Sequence, residues 1–227
     1  MSRTLDAAVT AVLLLVVAAG CQSAPTPAPP SVDAVTITIP IVIQDKAVIS
    51  AAADVLSARL RSLGYETFSV AIGESIVFTL PADPPPDEAK IRSAFGQRGS
   101  LTFVPLPIEA GAPATGARAP AGVPPLFDPA DEVVSAMVTE SLGQEQPALQ
   151  IDLGPIGTKA VAIYSVAHLG DYLIVVLDGS VLASPAVMSS IQDGQLQLSM
   201  ASTDSLLLPL DVAAAVIDSG PLPAGWP

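Results

Sequence analysis

Residues 170–187 read GDYLIVVLDGSVLASPAV. The apolar run 172–177 is short, rich in Leu, Ile and Val, and bounded by turn residues, which suits a buried strand. Asp178-Gly179 follows at once, and a second apolar stretch begins at Ser180. A two-residue Asp-Gly connection between apolar runs predicts a β-hairpin with a type I′ turn, in which both turn residues take positive φ. Working back from the hairpin, Gly170 closes a helix predicted over 155–169, with Pro155 near its start. Residues 148–153 (ALQIDL) and 195–200 (QLQLSM) alternate apolar and polar, as half-buried strands do. Residues 209–219 (PLDVAAAVIDS) predict a final helix, with Pro209 at its first position and Gly220 just past its end. Residues 131–140 fit either a short helix or an exposed strand.

The N-terminal half alternates in type. Residues 35–43 (VTITIPIVI) are β-branched and predict a strand, with Pro40 at an edge or bulge. Over 47–63, Ile49, Ala53, Leu56, Leu60 and Leu63 recur at helical spacing. Arg59 and Arg61 fall near that helix's negative end, and Gly64 closes it. Strands are expected over 67–72 and 75–80 around Gly73-Glu74, then a helix over 87–95 behind three prolines, then a strand over 101–106. The order βαββαβ predicts a ferredoxin-like base module over 35–106. Residues 107–126 are rich in Pro, Ala and Gly without periodicity, and read as a flexible linker. An α+β module occupies 127–227, so the chain as a whole is α+β.

Composition narrows function by subtraction. Among 227 residues, 22 acidic side chains outnumber nine basic ones, for a net charge of −13. Such a chain does not neutralise phosphates, which excludes nucleic acid as a partner. One Cys permits no internal disulfide, and one Cys with one His does not make a zinc site. A serine hydrolase would have to use His168 as its imidazole, and the plainer reading places His168 at a helix's negative end on the surface. Asp87-Glu88 and Asp131-Glu132 lack calcium-loop spacing, and carboxylates in a first helical turn serve capping. Asp178-Gly179 reads as turn geometry, and Gly154-Pro155-Ile156-Gly157 starts a helix rather than cradling a phosphate. Trp226 is either a tail residue or a cap on the base module. No catalytic, cofactor-binding or metal-ligating residue is expected, and the chain is not expected to be an enzyme.

The N-terminus reads as an address. Residues 7–20 (AAVTAVLLLVVAAG) carry no charge and span about 14 residues, short of the roughly 20 that cross a bilayer. Residues 1–20 are therefore expected to be a secretory signal peptide. Ala18-Ala19-Gly20-Cys21 resembles a bacterial lipobox, which implies that Cys21 is diacylated on sulfur and becomes the first mature residue. A Pro-rich tether follows over 21–34, and its QSAPTPAPP segment forms a polyproline spacer of roughly 30 Å. The resemblance implies a lipid-anchored protein on the extracytoplasmic side of a membrane in a bacterial cell envelope.

The second module resembles the head subdomain of the first periplasmic domain of SecD, a protein-export subunit. The residues that carry the resemblance run from Gly170 through Leu177-Asp178-Gly179 to Ser184-Pro185-Ala186-Val187. Ile191-Gln192-Asp193-Gly194 with its following strand, Gln146-Pro147 before 148–153, and Gly220-Pro221-Leu222-Pro223 add to it in the same order. Residues 56–64 and the two strands ending at Leu80-Pro81 resemble the base of that domain. Together the match spans roughly 35–223, with 107–126 poorly matched. SecD subunits couple proton flow through charged residues in six transmembrane helices. No apolar stretch of spanning length follows residue 20 here, so motor activity is not implied. The resemblance implies a non-enzymatic lipoprotein that binds exported polypeptides, envelope proteins or Sec translocon components, with no cofactor. The alternative reading is a solute- or envelope-component-binding sensory module unrelated to Sec export.

Overall fold

In the computed structural model, which describes residues 34–128, 132–141, 146–199 and 208–226, the Val/Thr/Ile alternation near the N-terminus becomes strand β1 (Ala34–Pro40). Helix α1 (Lys46–Ser62) begins at Asp45, whose carboxylate accepts the backbone N–H of Ala47 at 2.9 Å. β2 (Ser69–Ile72) and β3 (Ser75–Pro81) form the hairpin around Gly73, and the sheet order is β1-β3-β2, all antiparallel. Helix α2 (Glu88–Phe95) is capped by Asp87. Ile37, Phe78 and Leu80 from this sheet meet Leu56, Leu60 and Ile91 from the helices in one buried core.

The chain is α+β and keeps the βαββαβ order, but its sixth element leaves the first sheet. β4 (Leu101–Leu106) pairs antiparallel with β7 (Tyr172–Leu177), with Phe103 opposite Val175. The reason lies in its side chains. Leu101 and Phe103 enter one core, Val104 and Leu106 another, so β4 needs cover on both faces. β8 (Ser180–Ala183) completes this second sheet, and the turn between β7 and β8 has Asp178 at φ 52° and Gly179 at φ 78°, as a type I′ turn requires.

A third sheet has the order β5-β6-β9, from β5 (Val133–Glu140), β6 (Pro147–Leu153) and β9 (Gln195–Ser199). The segment compatible with helix or strand is thus a strand. Leu149, Ile151, Leu196 and Leu198 face inward against α3 (Pro155–Ala167) and α4 (Leu210–Asp218), in the core that also holds Leu101 and Phe103.

Residues 107–126, expected to be a loose linker, are tied to the second sheet. Gly116 donates its N–H to the Val181 carbonyl, Val181 donates to Ala117, and Ala119 donates to Gly179, at 2.8, 2.8 and 3.0 Å. The small side chains that suggested a linker are what allow this close approach to β8. Ala117, Ala119 and Val123 then pack over Val104, Ile174 and Val181. Past α4 the chain turns back, and Leu222 and Trp226 are buried in the core of the first sheet. Trp226 is therefore a core residue of the base. The described residues form one compact unit. The expected signal peptide, Cys21 and the tether up to residue 33 lie outside the described residues, as do Asp131 and Met200.

Candidate functional site: an edge strand and its acidic plug

Asp218 is the last residue of α4. A carboxylate at a helix's negative end costs about 0.3–1 kcal/mol, so its position has to be explained by other partners. Its Oδ1 accepts the backbone N–H of Ala136 at 3.2 Å, and its Oδ2 accepts the Ser62 hydroxyl at 2.7 Å. One side chain thus ties α4 to the end of α1 and to β5.

β5 is an edge strand, bonded to β6 on one side only. Because Ala136 donates away from β6, strand alternation turns the backbone groups of Val138 to the same side. Val134, Met137 and Val138 are exposed. A cavity of about 370 Å³ runs along this edge from Ser62 past Met137 and Val138 to Asp211. A second, of about 340 Å³, lies between Gly99–Thr102 and the α4 exit at Ile217–Pro221, and Asp218 lines both. The second sheet offers no comparable edge: Leu126 donates to the Phe103 carbonyl on β4, and residues 116–119 cover β8. α4 borders this edge, and its Ala214 and Ala215 line the same cavity, so the trough runs between a strand and a helix.

The charges along this trough are unequal. Asp211, in the first turn of α4, pairs with Lys90 Nζ at 2.5 Å. The hydrogen bond to Asp211 is the main reason the Lys90 ammonium is held above its ordinary value. Asp218 accepts only neutral donors, and among the described residues no cation pairs with it.

A separate apolar groove of about 250 Å³ separates β7 from β9, lined by Leu173, Val175, Val187, Ile191, Leu196 and Leu198, with Met188 exposed at its lip. Tyr164 stacks on His168 at 4.6 Å, and His168 Nδ1 lies 3.0 Å from Asp171 Oδ2, so the imidazole sits at the end of α3 on the surface. Glu132 accepts the N–H groups of Ile156 and Gly157, serving as the missing cap of α3. Asp178 accepts three backbone N–H groups, from Arg98, Gly99 and Ser100. Among the described residues, no three His, Cys, Asp or Glu side chains gather into a metal-sized group.

Sequence reasoning passed over Asp218 and read Arg59 only as a charge near a helix end. Asp218 had a readable signal, an acid where the helix dipole favours a base. Arg59 sits three residues after Leu56 and one before Leu60, on the apolar stripe itself, and its side chain is fully buried. Its guanidinium donates to the carbonyls of Ala94 and Gln97 at 2.7 and 2.5 Å. Burial lowers its pKa to about 10, opposed by the charge of Asp178.

No family model and no curated protein matches the sequence. Solved structures do match. One, of SecDF, a membrane component that enhances protein export, superposes with a TM-score of 0.58 at 21% identity, over 83% of this chain and 95% of its own. SecDF in a super-membrane-facing form superposes with a TM-score of 0.61 at 23% identity, over 84% of this chain and 28% of that one. The expected SecD-like fold, base and head together, is the fold found. Among the described residues no helix is long and apolar enough to cross a membrane.

Proposed function

We propose that this chain is a non-enzymatic extracytoplasmic lipoprotein that binds exported polypeptides or envelope proteins in extended form, in connection with protein export and without proton-driven motor activity. The observation that carries the reading is the SecDF-like fold over 83% of the chain. The trough beside β5, with Met137 and Val138 exposed, supports it by offering apolar surface to a polypeptide. Lipidation at Cys21 and the Pro-rich tether hold the domain off the bilayer, because two or three acyl chains anchor stably where one does not.

Photo-crosslinking in living cells tests this. A crosslinker at Met137 is expected to capture exported polypeptides or translocon subunits, while one at the exposed Glu66, in the loop after α1, captures neither. Equal capture at both positions, or none at Met137, removes the reading. The apolar groove between β7 and β9 supports a second one, a module binding a small apolar envelope component. Native mass spectrometry would then find a co-purifying apolar molecule that Leu196→Asp eliminates.

A further inference from the structure

We propose that the outer face of α3 is a bilayer-docking surface, which lays the anchored domain against the phospholipid headgroups of the membrane that holds its lipid. The inference rests on the lipid-anchored reading above and adds a docked state to it.

α3 is apolar on both sides. Val161 and Tyr164 enter the core, while Ile156, Ile163 and Val166 on the opposite side are 66, 62 and 61% exposed. A helix apolar all round belongs in a buried setting, and among the described residues this face has no cover. Steps of three and four residues set Ile156, Lys159, Ile163 and Val166 in one stripe. Past the helix end the stripe widens. Leu169 and Met188 are 63 and 84% exposed, and Ile108 Cδ1 lies 4.0 Å from the place a Cβ on Gly170 would take. Gly170 donates its N–H to the Val187 carbonyl at 2.9 Å, which holds the Met188 loop beside the end of α3. Three separate segments thus bring large apolar side chains to one place, and such clustering marks a docking surface rather than scattered exposure.

The charges and the shape identify the occupant. On a chain of net charge −13, α3 has no acidic residue, and Lys159 stands within the stripe. The acids at its two ends are engaged: Glu132 accepts the N–H groups of Ile156 and Gly157, and Asp171 accepts that of Ile108 and pairs with His168. Glu109, next to Ile108, is the exposed acid at the rim. An extended polypeptide finds no unpaired backbone on a convex helix face. A second copy, packed on the stripe by a two-fold axis, sets Lys159 beside its own mate in an apolar seam. A bilayer surface takes the apolar side chains between its headgroups and lets the Lys159 stem bend its ammonium to a phosphate. Residues 21–33 span roughly 40 Å as polyproline, about the diameter of a domain this size, so the tether permits the docked state as well as the standing one.

The test uses the full acylated chain in phosphatidylcholine vesicles, with a nitrobenzoxadiazole fluorophore on Val166→Cys or on Glu66→Cys. Acylation leaves Cys21 no thiol to label. Brominated lipid is expected to cut the Val166→Cys emission to about half and to leave that of Glu66→Cys unchanged, because a docked face enters the headgroup boundary. Ile163→Asp, on the exposed stripe, should abolish the quenching, and circular dichroism melts check that it folds as the wild type does. Protein that floats with the vesicles without quenching at Val166→Cys, or with equal quenching at both positions, overturns docking and leaves the anchor standing. Quenching that survives Ile163→Asp also overturns docking. A blue shift that grows with protein concentration in detergent, without vesicles, assigns the face to a second copy and overturns it too. Protein that fails to float, or that takes a second label at Cys21, overturns the anchor and the docked state together.

Discussion

Arg59 and Asp178 grip one peptide loop from opposite sides. The Arg59 guanidinium donates to the carbonyls of Gln97 and Arg98, at 2.5 and 3.2 Å, and Asp178 accepts the N–H groups of Arg98, Gly99 and Ser100, at 2.9, 3.2 and 2.8 Å. The peptide dipoles between them line up from cation to anion. Arg59 also bonds the Ser219 hydroxyl and the Gly220 carbonyl. Residues 96–100 and 219–221 are the two places where the chain passes between the first sheet's core and the other sheets, so one buried side chain fastens both crossings.

Arg59→Met should therefore destabilise the protein by about 3 kcal/mol, because it strands several buried carbonyls at once. Arg59→Lys keeps the charge but not the planar fork, and should recover less than half of that loss. Urea unfolding measures both. Asp178→Ala combined with Arg59→Met should cost less than the two changes separately by about 1 kcal/mol, since they share one loop. Strict additivity would show that the two residues act independently.

Two glycines with nearly the same backbone should respond very differently to Ala. Gly99 has φ +83° and Gly64 φ +89°, so each substitution costs about 1–2 kcal/mol for the left-handed conformation. At Gly64 nothing lies within 4 Å of an added Cβ, whereas at Gly99 it would sit 2.8 Å from both the Arg59 guanidinium and the Gly220 carbonyl oxygen. Gly99→Ala should thus lose about 3 kcal/mol or more. Similar melting temperatures for the two variants would contradict the tight crossing.

The Lys90–Asp211 pair sets a pH dependence at the alkaline end. The Lys90 value is raised above 10.5 in the folded protein, first by its hydrogen bond to Asp211. A raised value contributes stability below the unfolded pKa and loses it as pH climbs through the folded one. Both side chains are partly exposed, at 32% and 44%, so Lys90→Met should cost no more than about 1 kcal/mol at pH 7. The gap between wild type and variant should close as pH rises beyond 10.5. Guanidinium unfolding across that range is unsuitable because salt screens the pair, and urea serves instead.

Lipid attachment is checked at the mature N-terminus. Cys21→Ala should shift the protein from the membrane to the soluble envelope fraction, and the wild-type N-terminal peptide should carry the mass of its acyl chains. An unmodified Cys21 peptide would remove the anchor from the proposal.

The hairpin at Asp178-Gly179 was legible because turn chemistry is local, and the helices were legible from apolar spacing and caps. The partner of β4 was not legible. Its six residues declare a strand, yet whether Phe103 lies opposite β1 or β7 depends on cores assembled from residues about 70 positions away. β5 was obscured by consecutive apolar residues at Val133-Val134 and Ala136-Met137-Val138, which fit no single period. The second use of Asp178 was hidden for the same reason, since the N–H groups it accepts lie 78–80 residues earlier. Of the candidate site little was legible, because Asp218, Ser62 and Ala136 meet only once α1, α4 and β5 are assembled.

The burial of Leu222 and Trp226 among Ile37, Leu56 and Phe78 means that the first sheet's core is assembled from both ends of the folded region. Synthesis from the N-terminus delivers β1 to α2 early and Trp226 late. Until then that core lacks its final wall, and the base stays incomplete while the whole upper part is being delivered. Closure of that core therefore waits for residues 222–226, which come after both of the other sheets in the chain.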